Sequence, residues 1–259
     1  MLNYGMSPKQ SFKSSPVPIS VGSQEFILTE WRFLLFGSLM AFWSSLGQTF
    51  FISLFSEKIR TALNLSHGDF GAYYALATTA SAISLIWLGK LADSMRLEKL
   101  AALVLASLCC SAILFSQISS LWMLIGGLYL LRMFGQGMMT HVYTTAMARR
   151  YTLARGRAIS IAHLGQTVAE SIGPASIIAL LTLFEWRAIW VGLPIFAFCM
   201  LAPFLRHLTK RTRFQDGEGL HHVDLNQASK SETYNKQKHW RRSEVLRDPA
   251  FWLAFLWLT

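Results

Sequence analysis

Apolar residues in this chain fall in long blocks separated by short polar stretches. Residues 33–55, 70–88, 100–118, 121–147, 158–183 and 188–205 are almost uniformly apolar and carry few charges. About 20 helical residues, rising about 1.5 Å each, cover the roughly 30 Å hydrocarbon core of a bilayer. Each block is therefore predicted to be a membrane-spanning helix. A further block begins at Phe251 and reaches the last residue, Thr259, before it is long enough to span. The expected fold is all-α: a polytopic membrane helical bundle with six complete spans and a truncated seventh.

The polar stretches divide the chain. Residues 1–31 are rich in Ser and Pro, with no secretory-type apolar core or small-residue cleavage signature, and are expected to be a disordered lead-in. Residues 32–206 hold the six-helix bundle. Residues 207–248 are rich in Lys, Arg, His, Gln and Ser, bury too little apolar surface to fold, and are expected to be a flexible linker. Residues 249–259 open the seventh span. The connections at 117–121 and 184–187 are so short that spans three and four, and spans five and six, are expected to be tight antiparallel neighbours.

Composition supports a membrane chain: 53% hydrophobic, 15% charged, mean hydropathy +0.35. The net charge of +10 would suggest nucleic acid were it not for where the charges sit. With a cytoplasmic N-terminus, Lys9, Lys13, Arg32, Lys90, Arg96, Lys99, Arg149, Arg150, Arg155, Arg157 and the run from Arg206 to Arg247 all face inward, and only Lys58, Arg60 and Arg187 face outward. That is the positive-inside pattern. It implies a multi-pass protein of a plasma membrane or bacterial inner membrane, in contact with anionic lipid headgroups. No basic stripe with interleaved aromatics exists for nucleic acid.

Cys109, Cys110 and Cys199 lie within spans and read as small buried apolar residues rather than a disulfide set. His221 and His222 sit in the solvated linker and are not expected to bind metal. No enzymatic constellation, metal-ligand spacing or phosphate-cradling loop occurs, so no cofactor and no catalytic residue is expected.

Small residues recur every four positions at Gly37, Ala41, Ser45 and Thr49, at Gly71, Ala75 and Thr79, and at Gly165, Ala169 and Gly173. In lipid this spacing lets helix backbones approach closely. Polar residues at depth point to function. Arg132 lies about eleven residues, or roughly 17 Å, into the fourth span. Glu170 lies at similar depth in the fifth. A charge there costs at least about 2.5–3.5 kcal/mol, so it faces protein or water.

Each heads a polar stripe at helical spacing. One is Arg132, Gln136, Thr140 and Tyr143; the other is His163, Gln166, Thr167 and Glu170. Two readings stand: a buried ion pair that fixes helix rotation, or a solute pathway with Arg132 as an anion-docking charge and Glu170 as a titratable group. Gln48 and Tyr74 are further candidates for the same lining. Pro174 removes one backbone hydrogen bond and clashes with the carbonyl of Glu170, which predicts a local kink beside the acid.

Three short motifs, in order on successive spans, resemble those of the major facilitator superfamily. Gly89, Leu91 and Asp93, followed by Arg96 and Lys99, resemble the signature between that family's second and third spans. Arg132, Gly135, Gln136 and Gly137 are similar to its arginine-and-glycine motif on the fourth. Gly165 through Gly173 and Pro174 resemble its glycine–proline motif on the fifth. Ser94, Arg96 and Glu98 depart from the usual pattern, and Ala175, Ser176 and Ile177 stand where the last motif has glycines, so antiport rather than symport is not implied.

The resemblance, over roughly residues 30–259, implies the N-terminal six-helix half of a transporter, with Asp93 holding an inner gate and Arg132 contributing to coupling or substrate binding. The expected activity is secondary active transport of a small solute by alternating access. An organic anion is the favoured solute and a proton or counter-solute the candidate coupling partner. A missing C-terminal six-helix half would be the structural partner. A truncated non-transporting fragment and a six-span scaffold or receptor are the alternatives.

Overall fold

In a computed structural model of the protein, residues 23–89, 95–151 and 154–209 are described, with side chains described between Phe26 and Leu205. Of the linker expected over 207–248, residues 207–209 instead continue the last described helix, and the rest lies outside the described residues, as do the seventh span, Leu91 and Asp93. All described regular structure is helical: α1 (Ser23–Ser44), a 3₁₀ turn (Ser45–Gly47), α2 (Thr49–Ser53), α3 (Ser56–Leu63), α4 (His67–Leu88), α5 (Leu97–Ser116), α6 (Leu121–Leu131), a π segment (Arg132–Met139), α7 (Thr140–Arg150), α8 (Arg155–Leu183) and α9 (Trp186–Thr209).

Five described stretches are long and apolar enough to cross a membrane. The remaining apolar block, the fourth, is made by α6, the π segment and α7 winding on from one another.

Local chemistry explains several boundaries. Ser66 caps α4: its hydroxyl accepts from the Asp69 N–H at 3.1 Å, while the Asp69 carboxylate accepts from the Ser66 N–H at 3.2 Å and its hydroxyl at 2.6 Å. Asn64 ends α3 in the left-handed region (φ 53°), a conformation its short polar side chain tolerates. The first span differs from the single helix expected over 33–55. It starts inside the stretch expected to be a polar lead-in, at Ser23, and then breaks: Gln48 is extended (φ −83°, ψ 153°) between the 3₁₀ turn and α2.

Packing departs from what the loops suggest. Spans three and four do pack together. Spans five and six, despite their short connection, meet only slightly. The fifth (α8) lies chiefly against α1, and the sixth (α9) chiefly against α5. Small side chains decide this. A Cβ on Gly165 would run into the Ser38 carbonyl, and one on Gly37 would lie 2.9 Å from Ala162 Cβ. Ser38 Oγ donates to the Ile161 carbonyl across the same seam at 3.1 Å. The stripe on α4 behaves differently: Gly71, Ala75 and Thr79 are exposed, and a Cβ at Gly71 would meet nothing within 4 Å.

Only 11% of the α4 span and 17% of the α8 span is buried, against 56% of α5. Spacing alone therefore marked both a packed seam and an open face. Cys109 is buried and donates from Sγ to the Pro194 carbonyl at 3.2 Å, whereas Cys110 and Cys199 are exposed; all three are free.

Two clasps fasten the ends. At the end carrying Lys58 and Arg60, Arg187 donates to the Ser116 carbonyl (2.6 Å) and the Ile118 carbonyl (2.9 Å) while stacking on Trp186. It thereby satisfies carbonyls at the C-terminus of α5, where a cation is favoured. At the opposite, basic end, Arg150 Nε and NH2 both donate to Glu30 Oε2, at 3.0 and 2.8 Å, and the Tyr151 hydroxyl donates to the same oxygen at 2.8 Å. The Arg150 guanidinium also lies over the Phe33 ring, 4.8 Å from its centroid. Tyr151 follows α7, and burial first, then the Glu30 carboxylate, push its pKa up. Its hydroxyl therefore stays a donor.

Candidate functional site

The site is built on two backbone irregularities that face each other. Gly135 lies in the π segment of the fourth span and Gly47 ends the 3₁₀ turn of the first. A Cβ at Gly135 would lie 2.5 Å from Gly47 Cα and 2.8 Å from Gly47 N; one at Gly47 would lie 2.7 Å from Gly135 Cα. The contact is backbone against backbone, and any side chain would force the two spans apart. π turns of this kind are uncommon and concentrate at functional positions.

Arg132 is the first residue of the π segment. Only 7% of it is exposed. Its NH1 donates to the Gly47 carbonyl at 3.3 Å and to Thr49 Oγ1 at 3.0 Å. Thr49 Oγ1 also accepts from the Tyr74 hydroxyl at 2.8 Å, and the Tyr74 ring lies beneath the guanidinium, its centroid 5.4 Å from Cζ. One arginine thus ties together spans one, two and four at the break, where the helical ladder of the first span lapses. Among the described residues the ion pair is Arg150–Glu30, and no carboxylate pairs with Arg132. Both of its hydrogen bonds to the first span leave from NH1, and Tyr74 on the second span is its other polar neighbour.

The Arg132–Glu170 pair, one of the two readings of the sequence, is not formed. Glu170 is exposed, and its Oε1 accepts from Gln166 Nε2 on the same helix at 2.9 Å. The reason is rotational. Helix α8 turns its Ala162, Gly165 and Ala169 side into the bundle, which leaves Glu170 and Thr167 on the exposed flank.

The two polar stripes do meet, lower down. The Tyr143 hydroxyl, fully buried, lies 3.2 Å from His163 Nδ1 and 3.3 Å from Nε2, with the rings edge to face. Gln136, one turn beyond Arg132, is exposed. Gln48 is buried at the break beside Thr49, and its carbonyl accepts from the Ile52 N–H at 3.2 Å. Gly173 packs on Phe50, so a Cβ there would lie 3.4 Å from the ring. Pro174 lies inside α8, and the 3₁₀ turn and the π segment fall in the first and fourth spans.

Of the gating motif, Gly89 and Arg96 are described. Gly89 caps α4, and its carbonyl accepts from His141 Nε2 at 3.0 Å; Arg96 is exposed at the start of α5. Among the described residues no group of three or more His, Cys, Asp or Glu side chains could hold a metal ion.

Sequence reasoning did not find the break, the π segment, Thr49 as a partner of Arg132, the Glu30–Arg150–Tyr151 clasp or His141. The break had a signal: Gly47, Gln48 and Thr49 form a polar interruption in an otherwise apolar run. The π segment had a weaker one, in the flanking glycines Gly135 and Gly137.

Residues 37–259 match the family model described as the Major Facilitator Superfamily. No curated protein and no solved structure matches the chain.

Proposed function

The chain belongs to the Major Facilitator Superfamily, whose members are typically membrane transporters, and from that premise we propose that it carries a small organic anion across the membrane, with Arg132 as the docking charge. The observation that carries the reading is a buried guanidinium with no carboxylate partner among the described residues, bonded to the first span through NH1 alone. A mid-membrane cation normally finds an opposing charge, because leaving it bare costs several kcal/mol. A carbonyl, a hydroxyl and a ring face are dipolar partners only. An anionic solute would complete the set.

The remaining groups fit a secondary transporter working by alternating access. Gln136, Gln166 and Glu170 are the polar candidates for the rest of the pathway, joined by Gln48 and Tyr74. Glu170 and the His163–Tyr143 pair are the titratable candidates for coupling to a proton, and a counter-solute is the other coupling partner in view. The open flanks of α4 and α8 suit an opposing six-helix half as partner. The basic end, with Arg96, Arg149 and Arg150, is assigned to the cytoplasm of a plasma membrane or bacterial inner membrane, facing anionic headgroups.

The test is uptake of labelled organic anions into proteoliposomes. Arg132→Gln should abolish uptake while membrane insertion persists. Undiminished uptake would remove Arg132 from the pathway.

A further inference from the structure

Resting on the reading of Arg132 as a docking charge, we infer that the anion it takes is a monocarboxylate, bound side-on by Nε and NH2 and contacted by the Thr49 hydroxyl.

Donor geometry comes first. Both hydrogens of NH1 are committed, one to the Gly47 carbonyl and one to Thr49 Oγ1. The first span makes no use of the edge formed by Nε and one N–H of NH2, which stands beside Tyr74. Those two parallel donors match the two oxygens of a planar carboxylate in a fork-to-fork pair. With NH1 held by the first span, the guanidinium cannot swing to present its end-on face, so the side-on mode is set before any ligand arrives.

Charge selects among anions with that edge. Every other described Lys or Arg lies near one of the two ends of the bundle: Arg32, Arg96, Lys99 and the four arginines from Arg149 to Arg157 at one, Lys58, Arg60 and Arg187 at the other. One cation at depth compensates one negative charge. A dianion such as phosphate, sulfate or a dicarboxylate would bring a second charge with no described cation to meet it, at the cost that attaches to any bare charge at this depth. The exposed Glu170 carboxylate on the neighbouring fifth span disfavours that second charge further.

Two neighbours add discrimination. Thr49 Oγ1 accepts from Arg132 and from Tyr74, which leaves its own hydroxyl proton to donate outward, and Thr49 is exposed. That proton can be given to a carboxylate oxygen or to an oxygen on the adjacent carbon. The Tyr74 ring closes one face of the guanidinium with an apolar wall and strengthens the cation's hold through its π face. The combination suits a compact carboxylate with one charged end.

The experiment measures binding to the protein in nanodiscs with lactate, benzoate, succinate, inorganic phosphate and sulfate as probes, followed by competition in uptake. Lactate and benzoate should bind saturably, and succinate, phosphate and sulfate at least about tenfold more weakly. Arg132→Gln should remove binding of all probes. Arg132→Lys keeps the charge without the fork and should weaken monocarboxylates by about tenfold or more. Thr49→Val should weaken lactate several-fold with the fold retained, as read by size-exclusion profile and thermal melt.

Tighter binding of phosphate, sulfate or succinate, lost in Arg132→Gln, would overturn the monocarboxylate assignment and leave the docking charge standing. Binding of every probe unchanged in both Arg132→Gln and Arg132→Lys, or no binding of any anion to the unaltered protein, would overturn both.

Discussion

Arg150 and Arg132 lie on the same span about five turns of helix apart, and the bundle treats them in opposite ways. Arg150 sits at the basic end with two of its nitrogens on one Glu30 oxygen, a tyrosine hydroxyl on the same oxygen and Phe33 beneath it. It is a closed set: charge meets charge, and the donors aimed at the pair are used. Arg132 has a carbonyl, a hydroxyl and a tyrosine, and no carboxylate among the described residues. The first arrangement fastens one helix to another. The second leaves a cation at depth with no carboxylate partner among the described residues, as the proposed docking role requires. Burial of an arginine is therefore uninformative by itself; what separates a clasp from a docking group is whether a carboxylate from the chain already answers it.

That contrast can be broken or sharpened in steps. The largest effect is expected from Arg132→Gln, which should reduce uptake in proteoliposomes by at least about a hundredfold while thermal stability falls by no more than about 2 kcal/mol, the scale of a lost charged hydrogen bond. Near-normal uptake would place Arg132 with Arg150 as a structural residue.

Gly135→Ala comes next. Its new methyl would meet Gly47 backbone, which cannot rotate away, so a loss of about 1–3 kcal/mol in a detergent melt is expected, with transport impaired through displacement of Arg132. Gly71→Ala is the matched control: nothing lies within 4 Å of its Cβ position, and stability should be unchanged or slightly higher.

Glu30→Gln attacks the clasp. It leaves the Arg150 charge unanswered, but both side chains are partly exposed, at 20% and 16%, so a loss of about 1–2 kcal/mol in the melt is expected rather than the full cost of a buried pair. Affinity for the solute should not move, and a change in affinity without a change in stability would show that the clasp takes part in transport.

Glu170→Gln is expected to have the smallest effect on stability, within about 0.5 kcal/mol, because the side chain is exposed and bonded only within its own helix. Its readout is the pH profile of uptake, which should flatten. A profile identical to that of the unaltered protein would remove Glu170 from coupling.

Much of the fold was legible because it rests on composition over short windows. A run of about 20 apolar residues can satisfy its backbone in lipid only as a helix, so the spans could be placed before any tertiary information. Family membership was legible for a similar reason: Gly89, Arg132, Gly135 and Gly165 are local patterns. The conclusion that Arg132 is special followed from depth alone.

Three things were not legible. Loop length made α8 and α9 look like a packed pair, yet the Gly37–Gly165 seam drew α8 to α1. The charges of Arg132 and Glu170, matched in depth, pointed to each other on paper, but the buried side of α8 turned Glu170 outward. The first span read as one helix because an apolar run does not report whether its hydrogen-bond ladder is continuous.

The sequence by itself thus determined that the chain is a helical membrane bundle of a transporter family with a charge buried at mid-depth, since partitioning between water and lipid depends on what a segment contains. Only the tertiary structure decided what answers that charge. The Gly47–Gly135 contact joins residues far apart in the chain, and through it the rotation of three spans fixes which atoms Arg132 can reach. Rotation about a helix axis costs little until side chains interlock, so it is written in contacts between spans and not in any one of them.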